Sequence, residues 1–213
     1  MNVAAVALDV FLHIDAHLDA VIAEYGLLTY LIIFLIVFCE TGLVVTPFLP
    51  GDSLLFAAGA FAAKGSLHVG ILVLIIALAS ILGDAANYQI GKFIGPRVFR
   101  MNNRWIKQDY LTHTQEFYKK YGSKTIILSR FLPILRTFAP FVAGVGTMHY
   151  PTFFIYNVIG GVLWSLTFVG FGYLFGNISW VQENFSLVII GIVLVSAGIA
   201  IREFIKHKKH TTT

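Results

Sequence analysis

"CETGLVVTPFLPGDS", Cys39 to Ser53, closes an apolar run that begins at Leu27, and it carries two acids, two prolines and two glycines. An apolar helix has no ordinary use for Glu40, and Pro47, Pro50 and Gly51 end any helix that reaches them. The stretch therefore reads as a helix that enters a membrane, breaks inside it and restarts. The rest of the chain agrees with a membrane setting. Of 213 residues, 57% are hydrophobic and 12% charged, against about 25% charged in soluble domains. The lone cysteine, Cys39, excludes a disulfide framework. No basic residue precedes an apolar stretch at the N-terminus, so a cleavable signal peptide is not expected.

Working outward, residues 1–25 form an amphipathic N-terminal segment: Phe11, Ile14, Leu18 and Ile22 share one helical side, and Asp9, His13, His17 and Glu24 the other. Leu27–Val45, Ile71–Gly95, Phe153–Gly176 and Phe185–Ile201 are each long enough to span. Leu54–Ala63 is not, and Thr125–Gly146 is interrupted by Arg130, Pro133, Arg136 and Pro140. Lysines and arginines concentrate in the linker 97–124 and the tail 202–213, which places both in the cytoplasm. Two spans separate Thr125–Gly146 from the tail, so that segment must leave on the side it entered. The count predicts two opposed re-entrant hairpins, 47–63 in the first half (27–95) and 125–146 in the second (125–201).

An internal repeat supports this. "FLPGDSLLFAAG" (Phe48–Gly59) resembles "FLPILRTFAPFVAG" (Phe131–Gly144), and a GxxxG follows each, Gly91–Gly95 and Gly172–Gly176. The offsets are 83 residues at FLP, 85 at AG and 81 at GxxxG. The expected fold is one all-α polytopic membrane domain built as an inverted repeat, with about four transmembrane helices and its site where broken helices meet.

Glu40 lies roughly 20 Å into its helix at about 1.5 Å per residue, and an intramembrane carboxylate is a functional candidate by default. Asp52 and Ser53 read as the N-cap of the helix that restarts after Gly51. Arg130 and Arg136 would point about 240° apart on an unbroken helix. Pro133 between them lets both forks converge, and arginine forks suit phosphate or carboxylate. Ser53 and Thr137 join them as candidate phosphate ligands. Each arginine can equally pair with Glu40, Asp52 or Asp84 as a structural bridge. Asp84, Asn87 and Tyr88 share a helix face and either line a cavity or join helices, with Asn157 their counterpart in the second half. Trp164, mid-span, is expected to pack. The seven histidines show no ligand spacing, so no metal is expected. No cofactor, no nucleic-acid partner and, lacking a nucleophile–base pair, no enzymatic activity are expected. The GxxxG pairs permit a homo-oligomer or serve internal packing.

"FCETGLVVTPFLPGDSLLFAAGA", "GDAANYQIGKFIG" and "SRFLPILRTFAPFVAGVG" followed by "YNVIGGVLW" resemble the DedA family of bacterial inner-membrane proteins, which belongs with the VTT proteins, some of them phospholipid scramblases. The resemblance covers nearly the whole chain. It implies a role in envelope integrity and in drug and antimicrobial-peptide resistance, dependence on the proton-motive force and, in some members, recycling of undecaprenyl phosphate. The family's important acids fall on Glu40 and Asp52, and its important arginines on Arg130 and Arg136. The leading expectation is a flippase for an anionic lipid, undecaprenyl phosphate, with Arg130 and Arg136 on the phosphate and Glu40, Asp52 and Asp84 carrying protons or gating. The alternatives are a proton-coupled exporter of small cationic drugs and a phospholipid scramblase.

Overall fold

In the computed structural model, residues 25–43, 51–98, 108–146, 148–184, 187–188 and 191 are described, and every regular element among them is helical. In chain order these are α1 (Leu27–Gly42), α2 (Gly51–Ala63), α3 (Val69–Val98), α4 (Gln108–Tyr121), a 3-10 turn (Gly122–Lys124), α5 (Thr125–Ser129), α6 (Pro133–Val145), α7 (Tyr150–Phe175) and α8 (Ser179–Glu183). The amphipathic segment before Tyr25, the residues around Pro47 and Pro50, most of the Phe185–Ile201 span and the tail 202–213 lie outside the described residues.

Two apolar stretches, Val69–Phe93 in α3 and Tyr150–Phe175 in α7, are long enough to cross a bilayer. At about 1.5 Å per residue each exceeds the hydrocarbon thickness of about 30 Å. Their outer faces are apolar: Leu74, Leu78 and Leu82 on α3, and Ile155, Ile159, Leu163 and Leu166 on α7, are all exposed at helical spacing. Glu40, Asp84, Arg130 and Arg136 are buried. Exposed leucines over buried charges invert the arrangement of a water-soluble protein and suit a lipid solvent. By contrast α2 and α6 have thirteen residues each, about 20 Å, too short to cross alone.

The chain divides into two compact units. One holds the described parts of Met1–Ile33, Asp52–Val73 and Leu166–Thr213; the other holds Phe34–Gly51 and Leu74–Ser165. In the first, α2 packs on the end of α7. A Cβ added at Gly59 would strike the Val169 carbonyl, and one at Gly172 the Phe56 carbonyl. In the second, α6 packs on α3, where a Cβ at Gly144 would strike the Tyr88 carbonyl and one at Gly91 the Phe141 carbonyl. The repeat offsets map Phe56 onto Phe141, Gly59 onto Gly144, Tyr88 onto Val169 and Gly91 onto Gly172. The same glycine-on-carbonyl crossing is thus built twice. In each unit a short helix from one half of the sequence lies on the GxxxG helix of the other half.

Local chemistry sets the ends. Gly65, with φ of 86°, lets the Ser66 N–H return to the Phe61 carbonyl at 3.2 Å and stop α2. The His68 N–H at the head of α3 donates to the Tyr30 hydroxyl at 2.7 Å. Leu132 is extended, as a residue before proline must be, and Pro133 opens α6 at its first position. Between α5 and α6 the N–H groups of Arg130, Phe131 and Leu132 reach back three residues rather than four.

The structure departs from expectation in two places, Pro140 and Asp52. Pro140 does not break the hairpin: α6 runs through it to Val145. Pro140 cannot donate to the Arg136 carbonyl four residues back, but burial of Phe138, Ala139, Phe141 and Val142 around it outweighs one lost bond. Asp52 is not the N-cap of α2. The helix begins at Gly51 and Asp52 sits inside its first turn, where its charge meets the positive end of the helix. The linker 97–124 contains α4, which packs on α6; the Tyr118 hydroxyl donates to the Ala139 carbonyl at 3.0 Å.

Candidate functional site

The site is assembled on α3. At its centre Gly83 lies against α1, where a side chain would strike the Thr41 hydroxyl and crowd the Phe38 carbonyl at 3.0 Å. This crossing brings the end of α1, with Glu40, beside the turn of α3 that carries Asp84 and Asn87. One turn on, α6 lies against the same helix at Gly91.

Arg130 leaves the turn between α5 and α6 and is 2% exposed. Its Nη2 donates to Asp84 Oδ2 at 2.6 Å, to Asn157 Oδ1 at 2.5 Å and more weakly to the Asn157 carbonyl at 3.5 Å. Asn157 Nδ2 in turn donates to the Ile81 carbonyl at 2.9 Å. The amide is thereby oriented with its oxygen toward the guanidinium. Gly160, one turn along α7, makes the space: a Cβ there would lie 3.0 Å from Arg130 Cδ and Nε. Nε and Nη1 of Arg130, and Oδ1 of Asp84, are buried with no hydrogen-bond partner among the described residues.

Arg136, on the first turns of α6, pairs with Glu40, Nη1 to Oε1 at 3.3 Å. Its guanidinium carbon lies 4.1 Å from the centre of the Trp164 ring, which is fully buried. An arginine over a desolvated tryptophan is held by the ring's electron-rich face. Asn87 fixes this pair from behind. Its Nδ2 donates to the carbonyl of Thr41, next to Glu40, at 3.2 Å, and to that of Thr137, next to Arg136, at 2.9 Å. Tyr88 donates to the Met148 carbonyl at 2.7 Å and stacks on Phe153, with ring centres 4.5 Å apart. On α4, burial first and the Asp84 carboxylate second push the Tyr118 phenol well above its ordinary range, so it remains a donor.

The structure therefore gathers Glu40, Asp84, Asn87, Tyr88, Arg130, Arg136, Thr137 and Asn157 in one unit, as two ion pairs and the side chains that hold them. It places Asp52 and the buried Ser53 in the other unit. The carboxylate on Arg130 is Asp84. Sequence reasoning did not find Gly160, the Asn157 bond to Arg130 or the Trp164 ring beneath Arg136. A tryptophan placed mid-span, away from the interfaces where the residue collects, was the one available signal. Among the described residues no cluster of histidine, cysteine and carboxylate could hold a metal ion.

The comparisons with known proteins agree with this architecture. Residues 49–174 match the VTT domain model, a range that takes in Asp84, Arg130, Arg136 and Asn157 and begins after Glu40. Protein DedA of Escherichia coli (strain K12) is 52% identical over 212 residues, 98% of this chain and 97% of that protein. An uncharacterized membrane protein of Mycobacterium leprae (strain TN) is 44% identical over 162 residues, 76% of this chain and 72% of that one. Inner membrane protein YqjA of Escherichia coli (strain K12) is 30% identical over 179 residues, 80% of each. No solved structure matches the chain. On a VTT domain match over more than half its length and this near full-length likeness, the chain belongs to the DedA family of membrane proteins.

Proposed function

We propose that the protein carries an anionic lipid across the bacterial inner membrane, that the lipid is undecaprenyl phosphate, and that the proton-motive force drives the exchange. The observation that carries this reading is two buried arginines, each on a buried carboxylate, within helices whose outer faces are apolar. A guanidinium offers a planar fork that fits phosphate. Arg130 uses Nη2 on Asp84 and Asn157, while Nε and Nη1 point into the interior without an acceptor among the described residues. The four charges sum to zero. A phosphate adds negative charge where charge is costly to bury. A proton taken up by Glu40 or Asp84 offsets that charge and loosens the carboxylate's hold on its arginine in the same step. Deprotonation reverses both, so phosphate and proton binding are linked, and a proton gradient can turn the cycle.

The same reading treats α2 and α6 as arms of two opposed hairpins, 47–63 and 125–146, that enter and leave on one side. Their length and the duplicated glycine crossing support an inverted repeat. The basic linker and tail then face the cytoplasm. Asp84 takes the proton-linked role beside Arg130.

Equilibrium binding of a short-chain polyprenyl phosphate to the purified protein tests the fork. Arg130→Lys and Arg136→Lys keep the charge and lose the plane, and each should weaken binding about tenfold. Wild-type affinity in both variants contradicts phosphate chelation. A cationic drug that competes with the lipid, and whose own binding is lost in Glu40→Gln, would favour the exporter.

A further inference from the structure

A cavity of about 810 Å³ lies between α4, the 3-10 turn, the end of α6 and the start of α7, and its described lining contains none of the four paired charges. Its lining combines two chemistries. Val142, buried, and Met148, half-buried, are apolar; Lys119, Ser123, His149 and Thr152 are polar. No carboxylate is among the described residues that line it. Thr152 is in the first turn of the 26-residue α7, where N–H groups outside the helical ladder add positive potential. Tyr121 and Tyr150, each more than a third exposed, are next in sequence to the lining residues Gly122 and His149, and tyrosine rings collect at the level of lipid headgroups.

We propose that this cavity is a docking site for the phosphate headgroup of a lipid, separate from the Arg130 and Arg136 centre. The proposal rests on the lipid-phosphate reading above and deepens it. The Lys119 ammonium and the N–H and O–H donors of His149, Ser123 and Thr152, with no carboxylate among the described lining residues, complement a phosphate. The apolar lining residues select a lipid over free phosphate, because a soluble anion has nothing to lay against Val142 and Met148. The cavity is also tied to the charged centre by two hydrogen bonds. Tyr118, which lines it, donates to Ala139 of α6, and Tyr88 of α3 donates to the carbonyl of Met148. Occupancy of the cavity therefore bears on the two helices that carry Arg136 and Asp84.

The test is photocrosslinking of the full-length protein in phosphatidylcholine nanodiscs, using a polyprenyl monophosphate with its photoreactive group beside the phosphate. Crosslinks are mapped by mass spectrometry. The wild type should crosslink within 115–123 and 148–152. Lys119→Gln/His149→Gln should lower those crosslinks about tenfold and leave any at 130–136 in place. Thr152→Val, a milder change, should lower them as well, which guards against misfolding of the double variant. Crosslinks at the cavity that neither variant changes, or no crosslinks there at all, overturn the site. Displacement of the lipid by inorganic phosphate overturns the assignment to a lipid headgroup. Absence of crosslinks at 130–136 contradicts the transport centre instead, and cavity crosslinks that depend on Lys119 and His149 uphold the docking site in that case too.

Discussion

Replacing Asp84 by asparagine keeps the shape of the side chain and strands Arg130. In the wild type Arg130 is 2% exposed, with the Asp84 carboxylate at 2.6 Å and the neutral Asn157 as its other side-chain hydrogen-bond partner among the described residues. Removing one member of a buried ion pair costs about 3–5 kcal/mol, because the other charge stays buried without compensation. A neutral hydrogen bond is worth about 1 kcal/mol, so the amide left by Asp84→Asn recovers only part. For a chain of this size each kcal/mol moves the melting temperature by about 2–4 °C, giving a fall of roughly 10 °C. Adding Arg130→Gln removes the stranded cation, and the double variant should regain about half of that loss. The cluster in Asp84→Asn carries one net positive charge, so a polyprenyl phosphate should raise its melting temperature more than that of the wild type. Thermal unfolding of purified protein in detergent, read by tryptophan fluorescence with Trp164 as a buried reporter, measures all three. An Asp84→Asn protein that melts with the wild type, or losses that simply add in the double variant, would refute the pairing argument.

Three further outcomes follow from the geometry. Gly59→Ala and Gly144→Ala drive a methyl into equivalent backbone carbonyls in the two units, so each should destabilise by a similar amount, about 1–3 kcal/mol, in the same melting assay. Gly160→Ala places a methyl 3.0 Å from Arg130 Cδ and Nε. Displacement of the fork should slow lipid transfer in proteoliposomes about tenfold, with a smaller loss of melting temperature than Asp84→Asn. If 125–146 enters and leaves on one side, single cysteines at Ser123 and Met148, in a background lacking Cys39, should react with a membrane-impermeant maleimide from the same face.

The break between Arg130 and Arg136 was legible because proline chemistry is local: Pro133 forces Leu132 to be extended wherever the chain lies. The burial of Glu40, Asp84, Arg130 and Arg136 was legible from their position in apolar runs, and the duplicated glycine crossing from the matched AG and GxxxG stretches. The choice of partner was not. Asp84 and Arg130 are 46 positions apart, and which acid meets which arginine depends on how α3 is turned against the α5–α6 break. That rotation is set by close approaches at Gly83 and Gly91, which look like any other glycines in sequence. Asn87 could be placed on the Asp84 face by its spacing, but nothing in that spacing shows that its amide would go to the backbones of Thr41 and Thr137. Pro140 misled for the opposite reason. Its local preference is real, and the buried side chains around it on α6 outweigh it.

Transfer of a fluorescent short-chain polyprenyl phosphate between the leaflets of proteoliposomes, with and without an imposed pH gradient, tests the central claim most directly. The wild type should move the lipid faster than protein-free vesicles and faster still under the gradient. Glu40→Gln and Asp84→Asn should bind the lipid and lose the response to the gradient. Transfer no faster than in protein-free vesicles would contradict the account, as would a gradient response that survives intact in the Glu40→Gln/Asp84→Asn double variant.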